Sequence, residues 1–157
     1  MKKIEDAIHT LNFRNREERL LVVFMFTFNW LKEYQVRLFK PFGLTLQQYN
    51  ILRILRGSGN GPLNQKEVKR RMLDKMSDVS RLIKRMEKKK LIMSTINDSD
   101  RRNMDIVLTQ EGLNLLERID AALPVLDKVF KDFKEGDMRN FEDLLAKMRS
   151  IKFPKPF

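Results

Sequence analysis

The sequence predicts a mainly α-helical fold that carries one small β-hairpin. Apolar residues recur at helical spacing over most of the chain. Helix-start chemistry stands directly before such runs at Thr45, Asn64 and Thr109. Only residues 91–108 break the pattern, where the β-prone runs "LIMSTI" and "NMDIVLT" flank the polar "NDSDRR".

Residues 1–15 show little periodicity and are expected to form a loose arm or a short helix. A long helix is expected over 17–40. It is apolar nearly all round from Leu20 to Phe28, the pattern of burial on more than one side. Pro41 and Gly43 end it. In "LTLQQY", Thr45 and Gln48 have capping-box spacing, and Leu44 and Tyr49 have that of a hydrophobic staple. The same grammar returns in "LNQKEV", with Asn64, Glu67, Leu63 and Val68. The intervening "GSGNGP" is a loop. The helix that starts at Asn64 ends near Leu73.

A further helix is expected in "DKMSDVSRLIKRMEKKKLI". Val79, Leu82, Ile83 and Met86 form its apolar stripe, and Ser77, Arg81, Lys84 and Lys88 the opposite face. That face has no carboxylate on its centre line; Asp78 lies to one side and Glu87 at the margin of the stripe. After the hairpin, Thr109 caps the next helix, with Leu108 and Leu113 as its staple. Leu116, Ile119, Leu123, Leu126, Phe130 and Phe133 step alternately by three and four, the seam of a coiled coil. Pro124 should kink or break it. A last amphipathic helix carries Met138, Phe141, Leu144, Leu145, Met148 and Ile151.

Composition narrows the function. A chain of 157 residues, 42% hydrophobic and 34% charged, is expected to be one domain with a proper core. It contains no cysteine, which excludes disulfides, thiol redox sensing and thiolate zinc sites. That accords with a reducing compartment, and the expected location is the cytoplasm. No charged-then-apolar leader with a small-residue cleavage site is visible. "LLVVFMFTFNWL" is interrupted by Thr27 and Asn29 and falls short of the roughly 20 residues that span a bilayer. His9, the only histidine, stands away from any acidic cluster, so neither a metal site nor a Ser–His–Asp triad is expected. Asp98 and Asp100 lack the glycine and closing glutamate of a calcium loop. "GSGNGP" lacks the lysine and preceding strand of a phosphate loop. No cofactor and no enzymatic activity are expected.

The net charge of +11 is unevenly placed. Asn64 to Arg102 holds 13 Lys and Arg against 6 Asp and Glu, while the rest of the chain holds 19 against 15. A concentrated basic patch favours a polyanion, nucleic acid first and anionic membrane second. Solubility alone is the plainer alternative.

Helix, short helix, basic helix, then hairpin is the element order of a winged helix-turn-helix lobe, here over residues 45–109. Helices at 17–40 and 110–151 would form a dimerisation region. The basic helix of such a lobe enters the major groove. Its candidate contacts are Lys75, Ser77, Asp78, Ser80, Arg81, Lys84, Arg85 and Lys88. Arginine pairs bidentately with guanine, serine adapts to several base edges, and Lys88, further along, is placed for phosphate. At the hairpin tip stand Asp100, Arg101 and Arg102, the arginines suited to the minor groove. The Leu20–Phe28 belt and the seam offer more apolar surface than one small lobe covers. Leu20, Val23, Phe24, Leu116, Ile119, Leu123, Leu126 and Phe130 are therefore the expected homodimer contacts. A two-fold would set two recognition helices roughly 34 Å apart. Phe28, Trp30 and Phe39 are candidates for a ligand pocket, against ordinary core packing.

"MSDVSRLIKRMEKKKLI" and "SDRRNMDIVLTQEG" together resemble the DNA-binding lobe of the MarR family of transcription regulators. Asp100, Arg102 and Thr109 match the family's wing pattern. The resemblance implies a homodimer with interlocked terminal helices that binds palindromic operators on double-stranded DNA, usually as a repressor. It also implies release by a small aromatic or phenolic effector held between the dimerisation helices and the winged lobe. No membrane is expected as a partner. Lys90 departs from the pattern, standing where the family has glycine before the last apolar pair. In a left-handed conformation it should cost about 1 kcal/mol relative to glycine. Two other functions fit the same residues. A non-catalytic protein-interaction module would show no salt-dependent duplex binding. A charge-driven architectural DNA or membrane-surface binder would show a steep salt slope without sequence preference.

Overall fold

A computed structural model describes residues 4–9, 12–59, 61–97 and 104–152. The chain divides into two compact units after Ala122. In the first, α1 (Ile4–Ile8) is tied to α2 (Arg16–Phe39) by an Arg19–Glu5 ion pair of 2.7 Å. Asn15 caps α2 by accepting the Glu18 N–H at 2.8 Å. A 3-10 turn, Lys40–Phe42, closes it, and Gly43 turns the chain away at φ 65°, a region where a side chain is strained.

The full capping box forms at the start of α3 (Leu46–Arg56). The Gln48 N–H donates to Thr45 Oγ1 at 3.2 Å, and the Thr45 N–H to Gln48 Oε1 at 3.1 Å. At α4 (Gln65–Arg71) only half of the expected box forms. Asn64 accepts the Glu67 N–H at 2.9 Å, but the Glu67 carboxylate turns outward to Arg70 at 2.9 Å. A cation one turn on competes successfully for the glutamate. The next helix, α5 (Val79–Lys88), begins later than the sequence pattern implies, because Asp78 is its cap and accepts the Arg81 N–H at 3.1 Å. Val79, Ile83 and Met86 are buried, as their stripe predicts.

The hairpin forms from β2 (Ile92–Ile96) and β3 (Met104–Leu108), in antiparallel register from Ile92 opposite Leu108 to Ile96 opposite Met104. A third strand, β1 (Leu63–Asn64), pairs along the other side of β3, giving the order β1-β3-β2. Two residues are too few to show a period of two, so this strand carries no sequence signal. α6 (Gln110–Asp120) starts at Thr109, which accepts the Gly112 N–H at 3.1 Å. The core is built from Phe39, Ile51, Leu52, Val68, Met72, Met86, Ile106, Leu116 and Ile119.

Three sequence expectations change here. The coiled-coil seam is not continuous: α6 stops at Asp120 and helix resumes at Pro124, in α7 (Pro124–Asp127) and a 3-10 turn, Lys128–Phe130. Proline has no N–H for the Asp120 carbonyl and its ring crowds that carbonyl. Leu116 and Ile119 are fully buried inside the first unit, so they are core rather than dimer surface. Phe39 is also core, at 1% exposure and stacked on Tyr49 at 4.3 Å, which removes it from a ligand pocket. The Leu20–Phe28 belt is the reverse case. Leu20, Leu21, Met25, Phe26 and Phe28 are exposed in the single chain, and the only buried residue of α2 is Phe39, near its C-terminus.

The second unit holds α7 and α8 (Glu135–Arg149). Phe133 meets Phe130 and Phe141 edge-on at 5.4 and 6.5 Å, favourable geometry for aromatic quadrupoles. Ile151 lies past the end of α8.

Lys90 takes the left-handed conformation, at φ 58°. The Leu91 N–H reaches the Met86 carbonyl at 3.1 Å and the Lys90 N–H reaches that of Glu87 at 2.8 Å, a Schellman closure of α5. Lys90→Gly should therefore stabilise the protein by about 1 kcal/mol, seen as a higher urea midpoint at constant slope. An unchanged or lower midpoint would show that the lysine is not strained.

Candidate nucleic-acid interface

The surface expected to meet DNA is built from α4, the turn after it, and α5. The turn is pinned from behind by α3. Asn50 Oδ1 accepts the Leu73 N–H at 2.9 Å. Asp74 accepts the Met76 N–H at 3.0 Å, the Ser77 hydroxyl at 2.9 Å and the Gln47 amide at 3.5 Å. The Ser77 hydroxyl, then the Met76 N–H and Gln47, hold the Asp74 carboxyl below its ordinary range. Lys75 Nζ donates to the Arg70 carbonyl at 2.6 Å, and the Gln65 amide bonds the Ser80 hydroxyl, joining the start of α4 to the first turn of α5.

The eight candidate contacts thus divide. Lys75 and Ser77 precede α5 rather than lie on its face, because the helix begins after Asp78, whose side chain accepts the Arg81 N–H. Lys75, Ser77, Asp78 and Ser80 all spend polar groups on the scaffold. Arg81, Lys84, Arg85 and Lys88 are exposed on α5, and none forms an ion pair with a described residue. The lobe's other described arginines, unlike its remaining lysines, have carboxylate partners. Arg70 and Arg71 face Glu67 at 2.9 and 3.7 Å. Arg56 grips both oxygens of Asp120 at 2.6 and 3.0 Å, clamping α6 to α3. The Arg56 hydrogen bond pulls the Asp120 carboxyl below its usual range.

The wing is held at both ends of its ladder. Asn97, just past the end of β2, donates to both carboxylate oxygens of Asp105 on β3 at 3.0 and 2.9 Å. The Thr109 N–H reaches the Leu91 carbonyl at 3.2 Å, and its hydroxyl that of Lys90 at 2.6 Å. Asp100, Arg101 and Arg102 lie outside the described residues. Sequence reading missed Asn50, Gln47 and Asp74, which are polar residues in polar surroundings and acquire a role only when α3 meets the turn.

An open groove of about 710 Å³ runs between the C-terminal half of α2, the start of α3 and the end of α5. Lys32, Lys40, Arg85, Lys88 and Lys89 line it together with Val36, Leu44 and Leu46, and its lining contains no carboxylate. Phe28 and Trp30, half exposed on α2, do not line it. Among the described residues no group of three His, Asp or Glu is placed to hold a metal ion, and no helix is long and apolar enough to cross a membrane.

The profile of the MarR family matches residues 44–104. The chain is 31% identical over 106 residues to an uncharacterized HTH-type transcriptional regulator, YwoH of Bacillus subtilis, covering 67% of this chain and 75% of that one. Among solved structures it resembles the MepR–DNA complex of S. aureus, at TM-score 0.72 and 23% identity over 82% of this chain and 94% of that chain. It also resembles the organohalide-sensing regulator RdhR-CbdbA1625 in its 2,4-dichlorophenol-bound form, at TM-score 0.77 and 20% identity over 91% and 83%. Likeness at these identities is likeness of fold.

Proposed function

The chain belongs to the MarR family of DNA-binding transcription regulators, and from that premise we propose that it is a cytoplasmic homodimeric repressor, without enzymatic activity, that reads a palindromic operator. The observation that carries this is the face of α5, where Arg81, Lys84, Arg85 and Lys88 are exposed and unneutralised beside a rigid turn. Exposed cations without carboxylate partners along one helix face favour a polyanion. Arg81, in the first turn of α5, is placed for a base edge, and Lys88, at its far end, for phosphate. Arg101 and Arg102 enter the minor groove, a role assigned from the sequence alone. A second copy covers Leu20, Val23 and Phe24 of α2 and Leu123, Leu126 and Phe130 of the second unit; the exposure of Leu20 and Phe130 supports this.

The effector is a small aromatic acid or phenol. MepR was solved with DNA and RdhR with 2,4-dichlorophenol. In this chain the cation-lined groove suits an apolar ring with an anionic head, and a ligand there would touch α5 at Arg85 and Lys88.

Selection of bound duplexes from a random pool at near-physiological salt, with mass in solution recorded, tests the proposal. An enriched inverted repeat and a dimer mass are expected. Arg81→Ala should then cost about 1–3 kcal/mol of operator affinity and relax specificity at one position. Lys88→Ala should weaken all sequences alike and lower the salt slope by about 1. Binding without enrichment would favour the charge-driven architectural reading instead.

A further inference from the structure

Leu73 and Met76 are the most exposed large apolar residues of the described chain, at 87% and 93%. Both lie in the turn between α4 and α5. Most exposed apolar side chains need no explanation, but this pair is held out by an ordered backbone. The Leu73 N–H is fixed by Asn50 and the Met76 N–H by the Asp74 carboxylate, which the Ser77 hydroxyl and Gln47 also engage. Met72, next in sequence to Leu73, is buried at 1%. The chain therefore turns one neighbour into the core and presents the other to solvent.

The surroundings identify the partner. Lys75 lies between the two residues in sequence, and Arg70, Arg71 and Arg81 stand on the flanking helices. An exposed apolar pair placed just before the N-terminus of a recognition helix, in a chain segment with excess positive charge, lies where base edges are read. The apolar feature of the major groove is the C5-methyl group of thymine. We infer that Leu73 and Met76 read thymine methyl groups in each operator half-site, so that specificity comes partly from the turn and not only from α5. The inference rests on the DNA-binding function proposed above.

The test uses the full-length protein and the operator duplex obtained by selection, alongside the same duplex with deoxyuridine for thymidine across one half-site. Each replacement removes only a methyl group. The wild-type protein should bind the methylated duplex about fourfold more tightly per buried methyl group. Met76→Ala, Leu73→Ala and the double variant should lose that preference while keeping dimer mass and salt slope, and Met76→Leu should restore most of it. Equal binding of the two duplexes by the wild type, or an undiminished preference in the double variant, would overturn the inference while leaving the regulator function standing. Failure of the wild type to enrich any duplex would overturn both.

Discussion

Gly112→Ala should destabilise the protein by about 3 kcal/mol, at the upper end of the range for overpacking. A Cβ built on Gly112 falls 2.2 Å from the Leu91 carbonyl oxygen and 3.2 Å from the Leu108 side chain. The first of these is backbone and is itself held, since it accepts the Thr109 N–H. Relief therefore requires α6 to move away from the end of α5. Leu91 directly follows the Lys90 turn that closes α5, so the displacement reaches the recognition helix as well as the core. The variant should show a lower urea midpoint and an operator affinity reduced beyond what its unfolded fraction explains. A change in stability below about 0.5 kcal/mol, the level of an ordinary surface substitution, would show that the two segments separate easily.

Leu116→Ala is expected to cost about 2–5 kcal/mol, the range for truncating a fully buried leucine. Leu116 is at 0% exposure in the first unit, as is Ile119. The seven-residue rhythm places both on one seam with Phe130, yet Phe130 is 40% exposed. Phe130→Ala should consequently leave the unfolding of the first unit little changed and act on the mass in solution instead. Urea unfolding of both variants, with sedimentation alongside, separates the two roles. A loss below about 1 kcal/mol for Leu116→Ala would return that residue to the surface.

These two residues also show where sequence reading stops. A seam of apolar residues states that a helix has a face to bury, without stating what will cover it. Pro124 was legible as a break, since its missing N–H acts on the chain's own preceding turn. That the break sends Leu116 and Ile119 into one unit and Leu126 and Phe130 into another was not. The aromatics behaved similarly. Phe28, Trp30 and Phe39 are alike in sequence, but only Phe39 meets Tyr49 across the turn at Gly43 and becomes core.

The sequence by itself determined the order and kind of the main helices and the hairpin, the caps at Thr45, Asn64 and Thr109, the stripe of α5, the concentration of positive charge and the family. Each depends on contacts within about four residues, or on composition, and such chemistry is written locally. The tertiary structure decided how the turn before α5 is held, because Asn50 and Gln47 on α3 had to reach Leu73 and Asp74. It decided that β1 is a strand at all, because only β3 makes it one. It also decided which apolar residues are core and which stay exposed, since burial belongs to the arrival of a distant segment and not to the residue that waits for it.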